Sequence, residues 1–229
     1  MTQGVFETVR VERARALQLD AHLARLRASV RVLYGAELGE ELEACVGAAL
    51  RGAGDEPRRL RIVVVPGAAP EATLAPLGPA ASRAPVRLEP WTLPGGLGAH
   101  KWLDRRRLDE ATARLGATPL IVEPDGEVLE AAWGNVFALE GRRVTTPPAD
   151  GRLLPGVTRA RLLALAPELE LDAGEGRLSL ARLARADAIF VTSALRMAVP
   201  ARLGPGAGDA GDALVERIAA GLLDREPAK

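Results

Sequence analysis

Lysine is almost missing from this 229-residue chain: thirty side chains are Lys or Arg, and only Lys101 and Lys229 are lysine. Other scarcities exclude whole classes of function. A single cysteine, Cys45, permits no intrachain disulfide and no thiolate metal cluster. Two histidines, His22 and His100, argue against a histidine-rich metal site. The net charge is zero, so there is no electrostatic case for binding nucleic acid or an anionic membrane surface. No stretch approaches the roughly 18 apolar residues that a membrane span requires. The first residues, Met1 to Glu7, hold neither a basic cluster nor an apolar run, so no signal peptide is expected. With 48% apolar and 26% charged residues, the composition predicts a soluble, cytoplasmic globular protein.

The length allows one large domain or two small ones. Alternation over residues 4–11 predicts a strand ending in a turn at Arg13-Ala14. Asp20 reads as the N-cap of a helix that carries Leu23, Leu26, Val30 and Leu33 on one stripe, with Arg25 close to that stripe. A second amphipathic helix is expected over 37–52, and a buried strand over 59–66. Between Pro66 and Gly98 proline, glycine and alanine dominate, with room for a strand at 85–92, and this run is the natural domain boundary. The expected division is a small N-terminal α/β domain, 1–90, and a larger C-terminal domain, 91–229. A helix at 104–115 follows Lys101. Residues 118–123, 127–133, 135–140 and 142–147 read as an antiparallel meander with turn chemistry at each corner. A helix over 158–166, strands at 187–192 and 197–202, and an amphipathic helix at about 210–224 complete an α+β protein of two parts.

Lys101 is the one internal lysine in a chain committed to arginine. Arginine stays charged and forms no Schiff base, whereas a desolvated lysine amine loses its proton and attacks a carbonyl. By itself the residue reads equally as a surface charge. Glu130 sits mid-strand among small and apolar neighbours (Val128-Leu129-Glu130-Ala131-Ala132). Pointing inward it would need a cationic partner, such as a protonated pyridine nitrogen; pointing outward it is a solvated side chain. Gly156-Val157-Thr158 opens a helix whose first N–H groups form an anion site, or a plain Pro-Gly turn with a threonine cap. Lysine, strand carboxylate and anion site together describe a pocket for pyridoxal 5′-phosphate. Arg61 and Arg196 are candidates for pairing with substrate carboxylates, or are solvated surface arginines.

Several stretches in order, FETVRV (6–11), HLARLRAS (22–29), Lys101-Trp102-Leu103-Asp104-Arg105, DGEVLEAAWGNVF (125–137), LLPGVTR (153–159) and FVTSALRMAVP (190–200), resemble the class IV aminotransferase family. The resemblance implies the two-domain fold type IV, like that of D-amino-acid aminotransferase, with pyridoxal phosphate between the domains, and a homodimer. It implies that Lys101 is the Schiff-base lysine and that Glu130 faces the pyridine nitrogen. The phosphate would then be held by Arg25, by Val157 and Thr158, and by the turn at Ser193-Ala194. Branched-chain enzymes of the family carry a tyrosine five residues after the lysine. Here that position is Arg106, and Tyr34 is the one tyrosine. TSAL (192–195) is similar to the lyase turn. The expected activity is therefore that of a lyase converting 4-amino-4-deoxychorismate to 4-aminobenzoate and pyruvate, in folate biosynthesis. An aminotransferase acting on branched-chain or D-amino acids with a 2-oxo acid acceptor, and a non-catalytic dimeric relative, are the alternatives. Relatives begin about two strands earlier, so the first domain is expected to be trimmed at its start.

Overall fold

The structure, a computed structural model, describes residues 3–204 and 212–224. The chain divides into two compact units, Met1–Ser82 with His100–Arg105, and Arg83–Ala99 with Arg106–Lys229. The division falls after Ser82 rather than at 90, and the segment bearing Lys101 packs with the first unit, whereas the sequence assigned it to the second.

In the first unit, strands β1 (Val5–Glu12) and β2 (Arg15–Ala16) precede helices α1 (Leu19–Tyr34) and α2 (Glu40–Leu50). Strands β3 (Arg58–Val64) and β4 (Glu71–Pro76) follow. The antiparallel sheet has the order β2-β1-β3-β4. Arg13 and Ala14 take φ of 47° and 60°, the left-handed pair that a two-residue hairpin turn requires. Val5, Val9 and Val11 of β1 and Leu60, Ile62 and Val64 of β3 bury one sheet face against Leu23, Leu26 and Val30 of α1 and Leu42 and Val46 of α2. Each such side chain contributes about 1.5–3 kcal/mol by leaving water. β3 is thus buried on alternate residues, not throughout as expected. Helix α1 starts earlier than expected: Gln18, at φ 55°, is its N-cap, and Asp20 lies in the first turn, where its charge still favours the helix dipole. β4 was hidden in the proline-rich run, as was a single 3₁₀ turn at Pro79–Ala81.

β2 pairs only with Val11 and Glu12, so it leaves the start of β1 open on that side. Residues 101–103 take this edge. The Phe6 N–H donates to the Lys101 carbonyl (3.0 Å), the Leu103 N–H donates to the Gly4 carbonyl (2.8 Å), and Val5 bridges Trp102. Three backbone contacts therefore fix Lys101 beside Phe6.

The second unit contains β5 (Val86–Thr92), α3 (Arg106–Leu115), β6 (Thr118–Val122), β7 (Glu127–Ala131), β8 (Asn135–Glu140) and β9 (Arg143–Thr146). After these come α4 (Val157–Leu165), a 3₁₀ turn at Ala166–Leu169, β10 (Asp172–Glu175), β11 (Leu178–Ser179) and α5 (Leu180–Leu183). The last elements are β12 (Ala188–Ser193), β13 (Met197–Leu203) and α6 (Asp212–Asp224). Positions 210 and 211 of the expected last helix lie outside the described residues. Nine strands form one sheet in the order β10-β9-β8-β12-β13-β5-β6-β7-β11. This corrects the expected meander. β6 pairs with β7 and β8 with β9, but β7 and β8 are separated in the sheet by β12, β13, β5 and β6. Among the described residues no ladder joins them; the bridge Ala131–Gly134 closes a tight turn between them, so the sheet has to roll to bring their ends together. Leu88, Leu120, Val136, Val191 and Val199 form the main core, and Leu93, Ile121, Leu129 and Leu153 a second cluster. No helix among the described residues is long and apolar enough to cross a membrane.

Candidate cofactor site

The first unit gathers charge around Phe6 and Glu7. Glu7 shares the buried stripe of β1 with Val5, Val9 and Val11 and is 1% exposed. Its carboxylate accepts from Arg25 at both oxygens (2.7 Å from Nε to Oε1, 2.8 Å from Nη2 to Oε2) and meets Nδ1 of buried His22 at 2.8 Å. Burial alone would raise the Glu7 pKa. The Arg25 charge and the hydrogen bonds from His22 and Arg25 outweigh it and hold the carboxyl at about 2. His22 goes the other way: burial holds its pKa below the ordinary value against the pull of Glu7, and the charges of Arg25 and Lys101 add to the lowering. A neutral His22 therefore donates from Nδ1 to an ionised Glu7.

Lys101 and Arg61 flank one ring. The Lys101 Nζ lies 4.9 Å and the Arg61 guanidinium carbon 4.1 Å from the Phe6 centroid. Arg59 and Arg61 alternate with the buried residues of β3, so they share its other face. Burial and then the like charge of Arg59 push the Arg61 pKa down from its ordinary value. Among the described residues neither guanidinium has a hydrogen-bond or acid partner, and the Arg59 Nε is buried without one. Two like charges held side by side without an acid partner have the chemistry to pair with carboxylates.

The second unit supplies a carboxylate and an anion site. Glu130 is 4% exposed in a strand buried along its whole length, which decides between the two readings left open by the sequence. Its Oε1 accepts from the Leu154 N–H at 3.3 Å. Residues 151–156 lead from there into α4, whose N-cap is Gly156 and not Thr158; no side chain caps this end. Val157 and Thr158 are buried in its first turn, where N–H groups lack an in-helix acceptor. The Asn135 Nδ2 donates to the Leu154 carbonyl at 2.9 Å. A Cβ on Gly156 would lie 1.9 Å from Asn135 Oδ1, so only glycine lets the helix end approach β8. Ser193 and Ala194 form the half-buried end of β12 and the turn into β13. Arg196, in the same turn, lays its guanidinium 4.1 Å from the Trp133 centroid, and burial lowers its pKa.

Lys101, Arg25 and Arg61 thus share the first unit, and Glu130, Val157, Thr158, Ser193, Ala194 and Arg196 the second. Sequence reasoning missed Glu7, His22, Arg59 and Asn135. Glu7 had a legible signal, because a carboxylate on an apolar stripe calls for a partner by the argument applied to Glu130.

The family model for amino-transferase class IV matches residues 4–203. A probable branched-chain-amino-acid aminotransferase of Thermotoga maritima is 33% identical over 78 residues, which are 34% of this chain and 29% of that protein. An aminodeoxychorismate lyase of Bacillus subtilis is 33% identical over 81 residues, 35% of this chain and 28% of that one. The alignments thus span less than a third of either relative. Among solved structures, a hypothetical aminotransferase from Mycobacterium tuberculosis in its alpha-ketoglutarate and PMP bound form has a TM-score of 0.86 at 25% identity. That match covers 96% of this chain and 87% of the other.

Proposed function

The chain belongs to the class IV amino-transferase family and has the fold type IV architecture, and on that premise we propose that it is a pyridoxal phosphate-dependent lyase. Its substrate would be 4-amino-4-deoxychorismate, split into 4-aminobenzoate and pyruvate. The donor set suits the cofactor: a lysine amine for the aldehyde, a buried carboxylate at Glu130 for the ring nitrogen, and an uncapped helix end for the phosphate. When bound, the cofactor supplies an electron sink for the bond broken at the substrate α-carbon.

The chain's own residues do the rest. Lys101 would supply the amine for the aldehyde and would move the proton at the substrate α-carbon. Glu130 would hold the ring nitrogen in its charged form. For the phosphate, the candidates are Arg25, fixed by Glu7, in the first unit and the α4 N-terminus with Ser193 and Ala194 in the second. Arg61 takes a substrate carboxylate, and Arg196 is a second candidate for that task.

One observation supports the choice of substrate class: among the described residues Arg59 and Arg61 share a face of β3 without an acid partner, and Arg61 lies over the ring that also meets Lys101. 4-Amino-4-deoxychorismate bears two carboxylates, which match two guanidinium groups. A dicarboxylic 2-oxo acid meets the same requirement, so aminotransfer is the second reading. The deciding assay supplies 4-amino-4-deoxychorismate without any 2-oxo acid and follows 4-aminobenzoate and pyruvate. Equal amounts of both over many turnovers support the lyase. Turnover of an amino donor only in the presence of 2-oxoglutarate would replace it with the aminotransferase. Protein that stays colourless with added cofactor, and takes up no borohydride-fixed adduct on Lys101, would leave a non-catalytic relative.

A further inference from the structure

Thr192 is 1% exposed, and its Oγ1 is buried with no hydrogen-bond partner among the described residues. A hydroxyl shut away from water without a partner is costly, and native chains keep few of them. It lies on β12 directly opposite Asn135 of β8. Opposed residues of an antiparallel pair project to the same face, with Cβ atoms about 4.5–5.5 Å apart. Two residues further along the same pair, Phe190 and Phe137 stack with centroids 4.9 Å apart, and α4 packs on β12. The Asn135 side chain reaches Gly156, the N-cap of α4. Thr192 therefore points to the side on which α4 begins, toward N–H groups that no side chain caps. Two glycines make the approach possible: a Cβ on Gly134 would fall 2.3 Å from the Thr192 carbonyl oxygen, and one on Gly156 would strike Asn135.

We propose that the Thr192 hydroxyl is a phosphate donor, completing with the α4 N-terminus a site for a phosphate monoester. This rests on the reading of that helix end as the cofactor's phosphate site. A hydroxyl donating to a phosphate oxygen makes a charge-assisted bond, the kind whose loss costs most. It would also explain why the orphaned group is retained: the phosphate accepts the bond that no described protein group does.

Thr192→Val keeps the shape and removes the hydroxyl, and Thr192→Ser keeps the hydroxyl. Apo forms of both and of the unmodified protein are titrated with pyridoxal phosphate and with pyridoxal, which lacks the phosphate. Urea unfolding of the apo forms and thermal shift with inorganic phosphate are measured in parallel. The expected result is about a tenfold to hundredfold weaker binding of pyridoxal phosphate to Thr192→Val. Pyridoxal binding is unchanged, Thr192→Ser recovers most of the loss, and apo Thr192→Val is at least as stable as the unmodified apo protein. Equal affinity of both proteins for pyridoxal phosphate, or an equal loss for pyridoxal, would overturn the proposal and leave the cofactor reading standing. If the unmodified protein takes up no pyridoxal phosphate, the cofactor reading fails. The phosphate site then stands if inorganic phosphate stabilises the unmodified protein and not Thr192→Val, and falls if it stabilises neither or both alike.

Discussion

Replacing Glu7 by glutamine should turn part of the protein's acid lability off. The carboxyl is held at about 2 in the folded state against an ordinary value of 4.5. At about 1.4 kcal/mol per pH unit of displacement, the difference amounts to about 3 kcal/mol of folding free energy. Because the folded value lies below the unfolded one, this contribution is full above pH 4.5 and is lost as the pH falls toward 2. More than half is gone by pH 3. His22 acts with the same sign. Its folded value is lowered from 6.5, so it contributes stability above 6.5 that is lost on acidification. The other charged group against Glu7 is Arg25, and the charge of Lys101 acts on His22. Urea unfolding of the unmodified protein and Glu7→Gln across pH 7 to pH 3 reads Glu7 together with its coupling to His22, while the remaining carboxylates cancel in the difference. Glu7→Gln should be less stable by about 3 kcal/mol at pH 7, and the gap should shrink by more than half at pH 3. A gap that stays within about 0.5 kcal/mol of its pH 7 value throughout would refute the assignment of the stabilisation to the charge on Glu7.

Arg61→Ala should raise KM for a carboxylate substrate by about tenfold to a hundredfold, the worth of a hydrogen bond to a charged group. Cofactor absorbance should be unchanged; a loss of cofactor would place Arg61 elsewhere. Glu130→Gln should lower kcat by about a hundredfold, as does removal of a preorganised electrostatic partner, and change cofactor affinity far less, as steady-state kinetics beside a binding titration would tell. Gly156→Ala should cost about 1–3 kcal/mol through overpacking against Asn135, and Gly134→Ala at least as much because it meets the Thr192 backbone. Urea midpoints test both, and an unchanged midpoint would count against the close approach of α4 to β8.

Local pattern made much of this legible. The β1 stripe, the Leu23-Leu26-Val30 face of α1 and the turn residues Arg13-Ala14 each need only a few neighbours to be read, and the structure has them where the sequence put them. Pairing between distant strands was not legible. The turn between β7 and β8 looks like a hairpin corner because its few residues say nothing of the four strands that intervene in the sheet. β4 lay in a proline-rich run, and its strand character comes from pairing with β3 rather than from its own propensity. Among the site residues, Glu130 was found and its burial left open, since period-2 alternation fails in a strand buried on both faces. The unit to which Lys101 belongs follows from backbone contacts with Gly4, Val5 and Phe6, a hundred residues away in sequence, which no local signal encodes.

The seat of Lys101 on the Phe6 ring also makes the residue unusually easy to watch. With its Nζ 4.9 Å from the ring centroid, the end of the side chain lies within the shielding cone of the aromatic current. Growth on lysine labelled with carbon-13 at the last methylene would give a chain of two such groups, and the resonance of one should be displaced upfield. Titrating that single line would follow the protonation of the amine directly, in the presence or absence of any added aldehyde.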